Sequence, residues 1–182
     1  QFLRRVLSID PDDFSDPEEL LELGFSEEQA IGVASTYAQA VADLRDLEAS
    51  LVAVRTDESG DEYLEVPPHA DEVAERLGLV DGELSALLAD GRAGVLADVI
   101  VADICGVGGY QTYDHERRIY IVDEEGGGTL YHDELISSLG EDLVSQVYYQ
   151  ESGGGEVPPP LAHLFEAARD SKRAPEVGDR PQ

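Results

Sequence analysis

The chain has 182 residues, with 40 acidic and 12 basic side chains and a formal net charge of -28. Of the twelve bases, eleven are arginine and one is lysine, Lys172. A folded domain with that charge repels itself. Salt relieves the repulsion, because the Debye length falls from about 10 Å at 0.1 M to about 3 Å at 1 M. The 42% hydrophobic content still allows a core, so the chain is not read as an acidic disordered polymer. The single cysteine, Cys105, excludes an internal disulfide and a cysteine-rich zinc site.

Charge is uneven along the chain. Residues 1–5 and 169–182 hold six of the twelve bases, Arg4, Arg5, Arg169, Lys172, Arg173 and Arg180. Residues 6–168 carry 6 bases and 37 acids. Basic ends on an acidic body suit docking on neighbouring acidic surfaces, so Arg4, Arg5, Lys172, Arg173 and Arg180 are the candidate partner-binding residues. No apolar run reaches the roughly 18 residues of a membrane helix, and the N-terminal segment is too quickly acidic for a signal peptide. The expected location is the cytoplasm or a virion.

In chain order, Asp16-Pro17-Glu18-Glu19 starts a short helix, Pro17–Leu23, that stops at Gly24. Ser26-Glu27-Glu28-Gln29 is a capping box. It opens the longest helical pattern, at least 22 residues, through Ala30, Val33, Ala34, Tyr37, Val41, Leu44 and Leu47. Leu51–Arg55 and Tyr63–Val66 flank a turn-rich segment and predict a hairpin; the alternative continues the long helix to about Val54. A helix over His69–Leu77 is expected to break at Gly78, and a second, Leu84–Ala89, to end at Asp90-Gly91. Ala93–Cys105 is apolar on most faces and is expected to be the central buried helix. Ile119–Val122 and Thr129–Tyr131 enclose Asp123–Gly128 as the clearest hairpin, with His132 expected opposite Ile119. A helix over Asp133–Tyr149, with Gly140 as its weak point, is expected next. After it come a Gly/Pro linker, a short helix Leu161–Ala168 and a polar tail.

These elements predict an α+β protein, mainly α: a helical bundle with one or two β-hairpins. Three segments are expected: 1–66 around the long helix, 67–150 as a helical core with hairpin, and 151–182 as linker and tail. No nucleophile elbow, phosphate loop or dinucleotide fingerprint is present. Tyr113-Asp114-His115-Glu116 and Tyr131-His132-Asp133-Glu134 are rich in potential ligands, but the expected hairpin leaves them about four residues out of register, roughly 13 Å apart. No calcium loop is present. No cofactor and no specific metal is therefore expected, and potassium ions bind non-specifically.

Residues 72–92, EVAERLGLVDGELSALLADGR, place a small residue at Ala74, a glycine at Gly78 and an apolar residue at Leu84. The segment resembles the helix-turn-helix signature, and with the 119–131 hairpin as wing it is similar to a winged helix-turn-helix protein. The resemblance covers about twenty residues strictly and about seventy loosely. It implies DNA binding, with Arg76, Arg92, Arg117 and Arg118 on one face. Asp81, Glu83 and Asp90 occupy the would-be reading helix where phosphate contact calls for bases. The composition resembles that of haloarchaeal proteins. Together these readings predict a non-enzymatic interaction or assembly protein of a halophile or its virus, such as a head–tail connector-type virion component, that forms a homo-oligomer or larger assembly. The alternatives are a winged helix-turn-helix regulator adapted to high salt and an acidic mimic of nucleic acid.

Overall fold

A computed structural model describes residues 14–88, 91–107, 110–123, 129–136, 142–150 and 157–173. Arg4, Arg5 and Arg180 lie outside the described residues. The fold is α+β, with more residues in helices than in strands. Its contacts divide the chain into two compact units, the described parts of Gln1–Leu44 with His69–Asp114, and of Arg45–Pro68 with His115–Gln182. The division is discontinuous, unlike the three successive segments expected. Its cause is strand pairing between residues more than fifty positions apart, which local patterns do not carry.

The first unit is helical. Helix α1, Pro17–Glu22, starts at Asp16, whose carboxylate accepts from the Glu18 N–H at 2.8 Å. The chain turns at Gly24 with φ +88°, a conformation that favours glycine. Helix α2, Glu27–Leu51, opens on a reciprocal capping box: Gln29 N–H donates to Ser26 Oγ, and Ser26 N–H donates to Gln29 Oε1. Ala30, Val33, Ala34, Ala40 and Leu44 are buried along it. At Gly32 an added Cβ would come within 2.9 Å of Leu87, so the α2 backbone lies close against the end of the next helix.

Helix α3, Ala70–Leu87, corrects the expected break at Gly78. The helix runs through both Gly78 and Gly82. Val73, Leu77, Val80 and Leu84 are all buried, so the 3.6-residue ladder continues across both glycines. That burial outweighs the roughly 1 kcal/mol each mid-helix glycine costs. The segment that resembles a helix-turn-helix therefore has no turn at Gly78. A Cβ at either glycine meets nothing within 4 Å. Gly78→Ala and Gly82→Ala are each expected to stabilise the chain by about 0.5–1 kcal/mol in urea unfolding. A loss of stability at either would mean that the open face is covered in solution.

Helix α4, Ala93–Cys105, is less enclosed than expected. Ala93, Leu96, Ala97 and Ile100 are buried, whereas Gly94, Asp98 and Ala102 form an exposed line at four-residue spacing. After it, β3 (Gly106–Val107) pairs with β4 (Tyr110–Gln111).

The second unit is built on an antiparallel sheet. Its strands are β1 (Ala53–Thr56), β2 (Glu62–Val66), β5 (Glu116–Asp123), β6 (Thr129–Ile136) and β7 (Asp142–Gln150), in the order β1-β2-β5-β6-β7. The expected β1–β2 hairpin is present, and α2 ends at Leu51 before it. The expected helix over Asp133–Tyr149 is replaced by the end of β6 and by β7. Tyr131, Asp133 and Leu135 are buried in alternation, the period of a strand. His132 stands opposite Tyr120, one place from the expected Ile119. Helix α5, Ala162–Arg173, is longer than predicted and takes Lys172 and Arg173 out of the expected tail. The residues just before α5 and its first turns bury Leu161, Leu164, Phe165 and Ala168 against Leu64, Val66, Ile119 and Tyr131, with Leu51, Val52 and Val54 partly buried beside them. No described helix is long and apolar enough to cross a membrane.

Candidate functional site

Strand β5 divides its side chains between two environments. Arg117 and Ile119 face the core side of the sheet, while Glu116, Arg118, Tyr120 and Val122 face the other.

On the core side, Arg117 is only 12% exposed. Its Nε and one terminal nitrogen donate to both oxygens of Asp133 at 2.8 and 2.7 Å, a bidentate fork. Its other terminal nitrogen donates to Glu48 Oε1 at 3.1 Å. Glu48 Oε2 lies 2.8 Å from His163 Nε2, and His163 Nδ1 is buried without a hydrogen-bond partner. This suits an Nε2–H that donates to Glu48, with Nδ1 as a bare lone pair. Both carboxylates are 8% exposed and already engaged, so the cluster ties α2, β5, β6 and α5 together and offers no free oxygen to a substrate.

The opposite face of the sheet is half-buried to exposed over most of its described side chains. On it lie Ala53 and Arg55 of β1, Tyr63 and Glu65 of β2, Glu116, Arg118, Tyr120 and Val122 of β5, and Leu130, His132 and Glu134 of β6, none of them buried, with buried Ile136 at the end of β6. Tyr63 and Tyr120, cross-strand partners, stack with ring centroids 5.1 Å apart and an interplanar angle of 29°. The Arg118 guanidinium sits 5.6 Å from the Tyr63 ring centroid and pairs with Glu116. Arg55 pairs with Glu65 at 3.1 Å. Burial raises the Tyr63 phenol above its ordinary range, an effect the Arg118 charge opposes. The Glu116 hydrogen bond raises Arg118 in turn. Tyr63 is thus a neutral hydroxyl donor and Arg118 a fixed cation. Among the described side chains of this face two arginines stand among three glutamates, near balance in a chain of net charge -28.

Of the four arginines expected to share a DNA-facing surface, Arg117 and Arg118 lie on opposite faces of the sheet. Arg117 is enclosed by carboxylates on the core side, which corrects its expected role, and Arg118, the next residue, projects from the other side. In the helical unit, Arg76 is 4.0 Å from Asp43. Arg92 lies 4.4 Å from the Phe25 ring centroid and donates to the Gly24 carbonyl and to Gln29. Lys172, expected to bind a partner, is held by Glu62 of its own unit at 2.7 Å. The side chain of Arg173 lies outside the described residues.

Sequence reasoning missed Glu48, Asp133 and the two tyrosines. Glu48 occupies the place four residues after buried Leu44, and Asp133 the place between Tyr131 and Leu135. A carboxylate at a periodic core position was the available sign of an internal partner. Among the described residues no group of three His, Cys, Asp or Glu side chains is placed to hold a metal ion. No protein-family model, curated protein or solved structure matches the chain.

Proposed function

We propose that the chain is a non-enzymatic interaction and assembly protein of a high-salt organism or its virus, and that the open sheet face is where a second copy docks. The observation that carries the reading is the stacked Tyr63–Tyr120 pair with Arg118 beside it, on a sheet face where Ile136, at the end of β6, is the one buried residue among the described side chains. Tyrosine and arginine are the residues enriched where protein interfaces concentrate their energy. In a chain with this much acid, a face with aromatic rings and nearly balanced charge is not built for hydration. It carries both signs, so two copies related by a two-fold axis can offset each other's charges. Strands about 4.8 Å apart, with four to nine residues at about 3.3 Å each, give five strands a face of roughly 500–600 Å² in projection. That is the order of the ~800 Å² each partner contributes to a standard interface.

The test is size-exclusion chromatography with light scattering in molar potassium chloride. The parent chain is expected to form a dimer or larger closed assembly. Tyr63→Ser combined with Tyr120→Ser is expected to give a monomer with circular dichroism like the parent's. A parent chain that stays monomeric at high protein concentration would overturn the reading.

A further inference from the structure

On the core side of the sheet, near the C-terminal end of α5, is a cavity of about 150 Å³, with apolar walls that include Leu64, Ile119, Ile121, Phe165 and Ala168. Ile121 is 49% exposed although it follows buried Ile119 on the same face, so the apolar lining is open to solvent. Arg169 also lines the cavity and is exposed. It forms no hydrogen bond or ion pair among the described residues, whereas neighbouring Lys172 is neutralised by Glu62. In a chain with more than three acids for every base, a guanidinium with no partner among the described residues, beside an apolar hollow, suits an anion from outside.

From this geometry we infer a binding site for a small amphipathic carboxylate, with its branched aliphatic or aromatic group in the cavity and its carboxylate on Arg169. Size sets the apolar part, because an apolar cavity of roughly 150 Å³ holds about one benzene ring. The guanidinium sets the head group, since its planar fork matches a carboxylate in a bidentate pair. The same chemistry occurs in a free short-chain acid and in the C-terminal residue of a peptide ending in leucine or phenylalanine. The apolar walls are on the side of the sheet opposite the proposed docking face, although Tyr63 also contributes to the lining; ligand shifts read this site and the oligomeric state reads the other, so either reading can fail without the other.

The experiment is a chemical-shift titration of the full chain in molar potassium chloride with four probes: 4-methylpentanoate, its amide, and a tripeptide ending in leucine as free acid and as C-terminal amide. Saturable shifts at Ile119, Ile121 and Ala168 are expected for the acids, with the amides at least about tenfold weaker, the difference a charge-assisted hydrogen bond makes. Tighter binding by the tripeptide than by the free acid would identify a peptide terminus as the source; the reverse order would identify the small acid. Arg169→Gln, at an exposed position, is expected to bring acid and amide to equal affinity. Ala168→Leu, which fills the cavity, is expected to abolish binding of all four. Equal binding of acid and amide by the parent chain, an acid preference that survives Arg169→Gln, or no saturable shift with any probe would overturn the inference.

Discussion

Arg117→Met is expected to cost about 3–5 kcal/mol of stability, because it leaves two buried carboxylates without their cation. Asp133 loses a bidentate pair and Glu48 loses its bond from Arg117, and at 8% exposure neither is well placed to recover the loss from water. Arg117→Lys is expected to fall in between: an ammonium is a point charge and cannot reproduce a fork on Asp133 together with a third bond to Glu48. Replacing the whole cluster, with Met at 117 and Leu at 48, 133 and 163, removes the desolvated charges together and is expected to restore stability to near the parent value or above it. Urea unfolding at molar salt measures all three. A single Arg117→Met variant within about 0.5 kcal/mol of the parent, the range of ordinary surface changes, would mean that the cluster is hydrated in solution.

Removing salt is expected to unfold the chain or lower its melting midpoint substantially. The net charge of -28 is spread over a chain with only twelve bases. The described ion pairs take up several of those bases locally, leaving most carboxylates to face each other across water. At 0.1 M salt the screening length is about 10 Å, and at about 1 M it is about 3 Å, shorter than one side chain. A stabilisation of about 3 kcal/mol between these conditions raises the midpoint of a chain this size by roughly 6–12 °C. Thermal unfolding followed by circular dichroism across a potassium chloride series measures it. A midpoint that does not move would refute the reading of the charge as an adaptation to brine. The two predictions separate cleanly, because buried pairs are screened far less than exposed ones. Added salt should lift the parent and the Arg117→Met variant by similar amounts and leave the gap between them open.

Local signals fared well where a segment's fate depends on its own residues. The Asp16 cap, the Ser26–Gln29 box, the end of α2 near Leu51 and the turn between β1 and β2 were all legible, because caps and turns satisfy backbone groups within a few positions. Gly78 misled for the opposite reason. Its propensity to break a helix is a cost of about 1 kcal/mol, and burial of Val73, Leu77, Val80 and Leu84 exceeds it. Asp133 misled more. A carboxylate at the start of a segment read as a helix suits a helix cap, and the one sign against it was its place midway between Tyr131 and Leu135 at the period of a strand.

The sequence by itself determined the acid excess. It also determined the α+β class and most helix starts, since composition and short-range periodicity are properties of neighbouring residues. Only the tertiary structure decided that β2 pairs with β5, that β7 is a strand, and that Arg117 is buried while Arg118 is not. Those outcomes depend on partners distant in the chain: Asp133 is 16 positions from Arg117, Glu48 is 69, and His163 is 115 positions from Glu48. A charge can be buried only where its counter-charge arrives, and folding alone brings residues at such separations together.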